Sequence, residues 1–342
     1  MRTVASDDHR SHHSTELDRG RLGPSWERPE RADLILEAIA SARLGPIVPP
    51  APLDRDLLAR VHDAEYLTFL ESAWDRWAAE YDAPAAMGIA WPSRRLGRQR
   101  PEDLVGQLGY HSFAADCSIV SGTWMAATTS VAIAQTAAQI VADGDPVSFG
   151  LCRPPGHHAM SDQFGGYCYL NNAAVAAQLL VERGATRVGI LDLDHHHGNG
   201  TQDIFFARPD VAFCSLHADP LQRFPWYLGH ADERGAGAGE GYSRNLPLPL
   251  GTAAFAWMDA LDHGLSWLEG IGIDALVVSL GVDTSIDDPI SDFALATADY
   301  PPVGRRLAAT GLPTVIVLEG GYATETLGPN VVGVLDGFLQ RG

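Results

Sequence analysis

Short, uninterrupted apolar runs recur along the chain, and amphipathic or alanine-rich stretches separate them. Four of these runs end in polar residues and glycine: 146–152, 188–191, 275–280 and 314–318. Runs of this kind are typical of parallel strands that are buried on both faces of a sheet. A shorter run at 211–217 predicts one more strand. The second half of the chain is therefore predicted to fold as successive β-α-β units.

Helical periodicity accompanies the predicted strands. In a helix predicted at 61–77, Tyr66, Phe69 and Trp74 are spaced so that they share one face. The other predicted helices lie at about 29–42, 122–143, 171–182, 255–268 and 303–310. A length of 342 residues fits one α/β domain, 1–342, with a central, mostly parallel sheet flanked by helices.

The segment at about 83–121 departs from this pattern. Prolines, glycines and a cluster of arginines interrupt any regular period. A loop this long inside a compact domain is usually functional or disordered. Because Trp91, Tyr110 and Phe113 are interspersed, we expect an ordered insertion that packs on something, with a partner subunit as a candidate.

The charge balance narrows the range of partners. The chain has 43 acidic and 24 basic residues and a net charge of −19, which argues against nucleic acid as a partner, because phosphate binding needs lysine and arginine to neutralise the backbone charge. Such a charge attracts cationic small molecules, although acidic surfaces also serve solubility alone.

Cysteine usage and hydropathy predict the cellular compartment of the chain. Four cysteines without paired spacing are predicted to be reduced core residues of a cytoplasmic protein: Cys117, Cys152, Cys168 and Cys214. No apolar run reaches the length of a membrane span. The first ten residues lack the apolar core of a secretory signal.

The most informative chemistry lies in the run Asp-Leu-Asp-His-His-His-Gly-Asn-Gly at 192–200, where the second strand ends. Residues two apart in a strand point to the same face, so Asp194 and His196 are predicted to converge, with Asp192 one step behind. An oxygen and a nitrogen ligand suit a borderline divalent ion such as zinc. A surface loop that collects these residue types without binding anything is the alternative.

The other strands end in residues of the same kind. Open α/β sheets place their sites at the carboxyl ends of parallel strands, so these side chains are predicted to reach one crevice. They are His157, His158, Asp194, His196, Asp283 and Tyr322.

Several motifs in this chain resemble those of the histone deacetylase superfamily. They are Arg-Pro-Pro-Gly-His-His-Ala at 153–159, Gly-Gly-Tyr-Cys-Tyr-Leu-Asn-Asn-Ala-Ala at 165–174, the 192–202 run and Glu-Gly-Gly-Tyr at 319–322. Ser-Leu-Gly-Val-Asp-Thr at 279–284, Asp-Pro-Ile-Ser at 288–291 and the insertion are similar to bacterial acetylpolyamine amidohydrolases. The resemblance implies an arginase/deacetylase fold, a mononuclear zinc hydrolase, and a homodimer in which the insertion narrows the active-site mouth.

The resemblance assigns roles residue by residue. Asp194, His196 and Asp283 match the three metal ligands, leaving a position open for water. His157 and His158 match a tandem pair in which His158 is the general base and acid. Further matches are Asp192, which orients His157; Asn199, where some members carry an aspartate behind His158; and Tyr322, which donates to the substrate carbonyl.

Weaker matches concern substrate and a second ion. Tyr167 and Phe224 match residues that line an alkyl tunnel, with core packing as the alternative, and the Gly166 carbonyl matches an acceptor for the amide N–H. A structural potassium ion is implied at Asp192, Asp194, His196, Ser215 and Leu216. His195 stands where relatives carry an aromatic or aliphatic residue and is expected to point away from the metal.

Recognition of a cationic substrate tail is expected to depend on acidic residues near the mouth. Some polyamine-selective relatives place two acids in the insertion, whereas the matching positions here are Val105 and Asp116. Asp116, together with Glu16 or Asp18, is therefore the candidate for contacting a distal ammonium, with a solvated surface carboxylate as the alternative.

Three functions follow as hypotheses. The first is zinc-dependent hydrolysis of small N-acetylated amines such as acetylputrescine, acetylcadaverine or acetylspermidine; ferrous iron fits the same ligands. The second is a protein acetyl-lysine deacetylase, which a narrow mouth would disfavour. The third is a non-catalytic binder of acetylated ligands, disfavoured because every catalytic position is filled.

Overall fold

Strands and helices alternate through most of the computed structural model, which describes residues 1–340. The strands are Arg2–Val4 (β1), Thr15–Asp18 (β2), Arg21–Pro24 (β3), Ile47–Val48 (β4), Val147–Gly150 (β5), Val188–Asp192 (β6), Val211–Ala218 (β7), Ser243–Leu248 (β8), Ala275–Leu280 (β9) and Thr314–Leu318 (β10). The helices are Glu30–Ala42 (α1), Arg55–Leu58 (α2), Ala64–Glu80 (α3), Leu104–Tyr110 (α4), Thr123–Ala142 (α5), Asn172–Glu182 (α6), Asn199–Phe205 (α7), Ala254–Ile271 (α8), Tyr300–Ala309 (α9) and Leu327–Leu339 (α10).

Eight of the strands form one sheet in the order β4-β1-β5-β10-β9-β6-β7-β8. Every neighbouring pair in this sheet is parallel. Strands β2 and β3 form a separate antiparallel hairpin. The prediction of a single α/β domain with a central, mostly parallel sheet is confirmed, and the large sheet is parallel throughout.

Alternate residues of each central strand pack into two different cores. In β10, Val315 and Val317 belong to the core under α3, α5 and α6. Ile316 and Leu318 belong to the opposite core, under α1, α8, α9 and α10. Because both faces are covered by helices, neither face of the strands favours polar residues, which explains their largely apolar runs.

The strand order brings the four chemically informative strand ends together. β5, β10, β9 and β6 are consecutive neighbours in the middle of the sheet. Since all four are parallel, their carboxyl ends open at the same edge, as open α/β sheets require of a ligand site.

Two segments read as irregular from the sequence contain regular structure. β1 lies within the first 30 residues, where the sequence pattern predicts no strand, and it inserts between β4 and β5. The 83–121 segment contains α4, whose N-cap Asp103 accepts a hydrogen bond from the backbone of Gly106. A three-residue strand and a seven-residue helix are too short to produce a readable period.

Helix α5 corrects the expectation that no segment reaches membrane-spanning length. It has 20 residues, and an 18-residue window within it has a mean hydropathy of 1.2, so it meets that criterion by length and composition. However, 67% of the apolar window is buried inside the domain, where α5 packs on α6 and β5. It is therefore a core helix. The four cysteines are buried and free, as expected.

Candidate active site

The turn that follows β6 presents two of the predicted metal ligands. The strand ends at Asp192, so Asp194 and His196 do not converge through strand alternation, and that part of the prediction is wrong. The turn itself converges them: the His196 N–H donates to Asp194 Oδ1 at 2.9 Å, and the Asp194 N–H donates to Asp192 Oδ1 at 3.1 Å. The side chains meet as expected, but for a different reason.

Asp283, just beyond the end of β9, completes a trio with Asp194 and His196 in which both carboxyls are buried and the imidazole is partly buried. The ligand atoms of the three residues lie within 4.8 Å of one another. His196 Nδ1 is 3.0 Å from Asp283 Oδ2 and 3.2 Å from Asp194 Oδ1. The Gly320 N–H donates to Asp194 Oδ2 at 2.8 Å, and a Cβ at Gly320 would stand 2.5 Å from that oxygen. Only glycine permits this approach.

The donor set of the trio fits a divalent metal ion. Two carboxylates and one imidazole are ligands that zinc and ferrous iron accept. Burial, and then the charge of Asp194, raise the pKa of Asp283 to about 8. Two carboxyls this close and this deeply buried resist ionising together, and a cation bound between them would stabilise both carboxylates.

The tandem histidines follow β5 and differ in their partners. His157 Nδ1 donates to Asp192 Oδ2 at 3.0 Å, whereas His158 Nδ1 lies 2.6 Å from Asn199 Oδ1. An amide oxygen only accepts, so His158 carries its proton on Nδ1 and keeps the lone pair of Nε2 free. This tautomer is the one that a general base needs.

The pKa values of the two histidines are driven apart. Burial alone would lower the pKa of His157, but the charges of Asp192 and Asp194 outweigh it and raise that pKa to about 10. Burial lowers the pKa of His158 well below its ordinary value, and the charges of His157 and His196 lower it further. His157 is therefore positively charged and His158 neutral at neutral pH.

The carboxylate of Glu319 holds the turn that presents both histidines. Its Oε2 accepts from the backbone N–H groups of Gly156 at 2.7 Å and His157 at 3.1 Å. Its Oε1 accepts from the Ser279 hydroxyl at 3.1 Å. The sequence marked Glu319 only as part of a motif; its position at the end of a central strand was the available signal.

Tyr322 lies two residues beyond Gly320, in the loop after β10. Its side chain is only 7% exposed, and its backbone N–H donates to Asp288 Oδ2 at 2.7 Å. Burial raises the pKa of Tyr322 well above its ordinary value, so the phenol keeps its proton and can donate it in a hydrogen bond.

Arg31, on α1, supports the Tyr322 loop from beneath. Its guanidinium donates to the carbonyls of Gly321 at 2.7 Å and Glu319 at 2.6 Å, and it lies 4.7 Å from the Tyr322 ring centroid. Arg31 is balanced by Glu27, whose Oε1 also accepts from Arg153, both at 2.9 Å. Sequence reasoning missed this Arg-Glu-Arg group, although Arg153 begins the motif that carries the tandem histidines.

Aromatic side chains predicted to line the tunnel lie beside the catalytic candidates. The Phe224 ring is edge-on to His158 at 5.1 Å and stacks on Phe113, from the insertion, at 5.9 Å. The Tyr167 ring is edge-on to Tyr322 at 5.8 Å. Gly166 precedes Tyr167, and its carbonyl accepts a hydrogen bond from the Cys168 thiol at 3.2 Å.

Two of the acidic candidates lie against this aromatic wall. Asp116 Oδ1 accepts from the Gly166 N–H at 2.9 Å, and Glu16 Oε2 accepts from the Tyr167 hydroxyl at 2.5 Å. Burial raises the pKa of both carboxyls. Asp18 instead points into solvent beside Arg19, so of the two N-terminal acids only Glu16 reaches the wall.

His195 lies outside the ligand trio. Its ring packs edge-on against Phe293, with centroids 4.5 Å apart, and its two nitrogens have no partner within residues 1–340. The expectation that it points away from the ligands agrees with this packing. Asp192 pairs in register with Ser215 of β7, so these two of the five residues predicted for a potassium site are neighbours in the sheet.

Comparison with known proteins defines the class. A sequence model of the histone deacetylase domain matches residues 25–337. The chain therefore belongs to the histone deacetylase family and is a hydrolase of that family.

Similar proteins extend over the whole chain. Acetylpolyamine amidohydrolase 1 of Pseudomonas aeruginosa is 50% identical over 341 residues, covering 99% of each chain. The acetylpolyamine amidohydrolase of Mycoplana ramosa is 49% identical and covers 98% of this chain and 99% of its own. A crystal structure of an acetylpolyamine aminohydrolase from Burkholderia pseudomallei superposes with a TM-score of 0.96 at 41% identity, covering 100% of both chains.

Proposed function

We propose that this chain hydrolyses the acetamide bond of small N-acetylated amines and releases acetate and the free amine. The substrates are acetylpolyamines such as acetylputrescine, acetylcadaverine and acetylspermidine. The observation that carries the proposal is a buried metal-ligand trio beside a neutral histidine whose Nε2 is free. The full-length likeness to acetylpolyamine amidohydrolases supports the substrate class.

Asp194, His196 and Asp283 would hold the metal, which we propose is zinc, with ferrous iron compatible with the same donors. A divalent ion at this position polarises an amide carbonyl and acidifies a water molecule. A structural potassium ion is proposed beside it, at the ends of β6 and β7.

The chain's own residues then move and hold the protons. His158 accepts the proton of the attacking water at Nε2 and delivers it to the leaving amine nitrogen, which balances the reaction. His157, charged and paired with Asp192, stabilises the negative charge that develops nearby. Tyr322 donates its phenolic proton in a hydrogen bond to the developing oxyanion, at a position fixed by Arg31 beneath its ring.

Substrate selection depends on the wall made by Phe224 and Tyr167. The stack of Phe113 on Phe224 supports a mouth that the 83–121 segment narrows, because it adds an aromatic ring to one side. A free amine with an alkyl chain fits such a passage more readily than a folded protein does. Glu16 and Asp116 are proposed to attract the distal ammonium through the carboxylate oxygens that Tyr167 and Gly166 leave free.

We also propose that the 83–121 segment forms a homodimer contact. Ile89 and Leu96 in this segment are 79% and 61% exposed, which leaves apolar surface there for a partner subunit to cover. Four free, buried cysteines support a reducing, cytoplasmic location.

The test compares acetate release by zinc-loaded protein from N-acetylputrescine, N8-acetylspermidine and an acetyl-lysine peptide. Rapid turnover of the free amines, weak turnover of the peptide and loss of turnover in Tyr322→Phe support the proposal. Preference for the peptide would transfer the assignment to protein deacetylation. Absence of turnover with all three would refute the small-amine assignment and reopen both the identity of the acyl group and the alternative of a binder of acetylated ligands.

A further inference from the structure

The segment that carries Phe224 has little regular structure of its own. It runs from the end of β7 through residues 219–230 as a series of turns. At its start, the Asp219 N–H donates to the Leu248 carbonyl at 2.9 Å, and Arg223 pairs with Asp292. Because turns alone do not fix a side chain, the position of Phe224 depends on how both ends of this segment are held.

At the far end, both backbone polar groups of Gly229 are held by side chains. The Gly229 N–H donates to Glu233 Oε2 at 2.9 Å, and the Gly229 carbonyl accepts from His217 Nε2 at 2.8 Å. Gly229 has a φ of +106°, and a Cβ there would lie 2.8 Å from the ring of His197. The backbone therefore sits directly on the two buried histidine rings.

The tautomer of His217 is determined by its partners. A carbonyl can only accept, so Nε2 carries the proton and Nδ1 accepts from the Ser215 hydroxyl at 2.8 Å. His217 is fully buried, and burial lowers its pKa to about 4. It remains a neutral donor to Gly229 at neutral pH.

Glu233 Oε2 is the common acceptor of this region. Besides Gly229 it accepts from the Gln202 side-chain amide at 2.6 Å and lies 3.4 Å from that of Asn245. Gln202 and Asn245 also bond to each other at 2.7 Å, and each carbonyl oxygen lies close to His197 Nε2, at 3.2 and 3.1 Å. One half-buried carboxylate thus ties the loop to α7 and β8.

We propose that Glu233 is a positioning residue that acts with His217 through the backbone of Gly229. Together they determine the position of Phe224 and, through it, the selectivity of the site for the alkyl chain of the amine. This proposal rests on the proposed function. Glu233 touches neither the ligand trio nor the catalytic histidines; its effect reaches the substrate only through the 219–230 segment. When the Glu233 carboxylate is removed, three amide donors lose their charged acceptor, and the end of the 219–230 segment is no longer held.

The experiment uses metal-loaded, full-length Glu233→Ala, with Glu240→Ala as the matched control, because Glu240 is an exposed glutamate in the same loop. We expect Glu233→Ala to lower kcat/KM for N-acetylputrescine about tenfold, since small misplacements of a positioning group carry costs of this order. The loss is expected mainly in KM, and Glu233→Gln, which keeps one acceptor oxygen, should recover much of it. Glu240→Ala should match the parent.

A double-mutant cycle separates positioning from general damage. In a Phe224→Ala background the further change Glu233→Ala should alter kcat/KM less than twofold, because the side chain through which it acts is gone. An undiminished tenfold effect in that background would overturn the proposal, as would a Glu233→Ala variant with parental KM.

Amide hydrogen exchange of the 219–230 segment gives a readout that is independent of activity. Faster exchange in Glu233→Ala, but not in Glu240→Ala, is expected, because the Gly229 N–H loses its acceptor. Unchanged exchange would refute the anchoring itself. If the parent protein turns over no acetylated amine, the proposed function fails while the exchange measurement still decides whether Glu233 holds the loop.

Discussion

His158 hydrogen-bonds to a neutral partner, whereas its neighbour His157 pairs with a carboxylate. The substitution Asn199→Asp would place a negative charge 2.6 Å from His158 Nδ1, in the position of the present amide oxygen. That charge stabilises the imidazolium, so the pKa of His158 rises. Because the base must be neutral to accept a proton, a raised pKa confines activity to higher pH.

The size of the shift follows from the distance. Unit charges about 4 Å apart attract each other by about 4 kcal/mol at an effective dielectric constant of about 20. Desolvation of the new carboxylate offsets part of this, which leaves a rise of about 1–3 pKa units at about 1.4 kcal/mol each. At a pH between the old and the new pKa of His158, the fraction of neutral His158 falls about tenfold for each unit that the pH lies below the new pKa.

The assay is the pH dependence of kcat/KM for N-acetylputrescine, since its acid limb reports the essential base of the free enzyme. We expect the acid limb of Asn199→Asp to move to higher pH while the plateau is retained. Asn199→Ala, which removes the acceptor without adding charge, should lower activity with no upward shift. With metal content unchanged, an acid limb that stays in place or moves to lower pH would refute His158 as the base that Asn199 orients.

Four further outcomes test other parts of the site. Tyr322→Phe should lower kcat about 100- to 1000-fold with little change in KM, because one oxyanion donor is lost; a parental kcat would exclude that role. Asp283→Asn should reduce the metal bound per chain, measured by elemental analysis, and full occupancy would remove Asp283 from the ligand set. Arg31→Met should lower the free energy of unfolding, measured in urea, by about 3–5 kcal/mol, since it removes one of the two arginines paired with buried Glu27 and leaves the carbonyls of Glu319 and Gly321 without their donor; a loss below about 1 kcal/mol would contradict this. Glu16→Gln should raise KM for N-acetylputrescine up to about tenfold, or about 1.4 kcal/mol, yet spare the uncharged N-butylacetamide; equal effects on both would exclude recognition of the ammonium.

The sequence predicted those features that depend on local pattern and parallel topology. The apolar runs identified β5, β6, β9 and β10, and the rule that parallel strands open at one edge predicted that their ends would meet. The alternation argument for Asp194 and His196 reached the right pair although the strand had already ended. The hydrogen bonds of the turn, rather than strand alternation, bring the two side chains together, and no pattern of apolar residues predicts such bonds.

Contacts between distant segments were beyond sequence reasoning. Arg31 reaches the carbonyl of Gly321 across 290 positions, and Glu16 meets Tyr167 across 151. A buried arginine and an exposed one look alike in a sequence, because burial depends on which elements pack together. The contacts of the Gly229 backbone could not be predicted from the sequence either, because glycine-containing loops are common. Only the packed histidine rings explain why a glycine stands at this position.

The arginine that begins the tandem-histidine motif also explains why the polar N-terminus is ordered. Arg153 donates to the backbone carbonyls of His9 and His12 at 2.5 and 2.8 Å. These carbonyls precede β2, the strand that carries Glu16 to Tyr167. The guanidinium of this residue, which begins the motif of His158, thus holds the segment that bears the candidate ammonium acceptor. The tandem-histidine motif and the proposed ammonium acceptor are therefore linked through one buried Arg31–Glu27–Arg153 group, in which arginine supplies several donors at once.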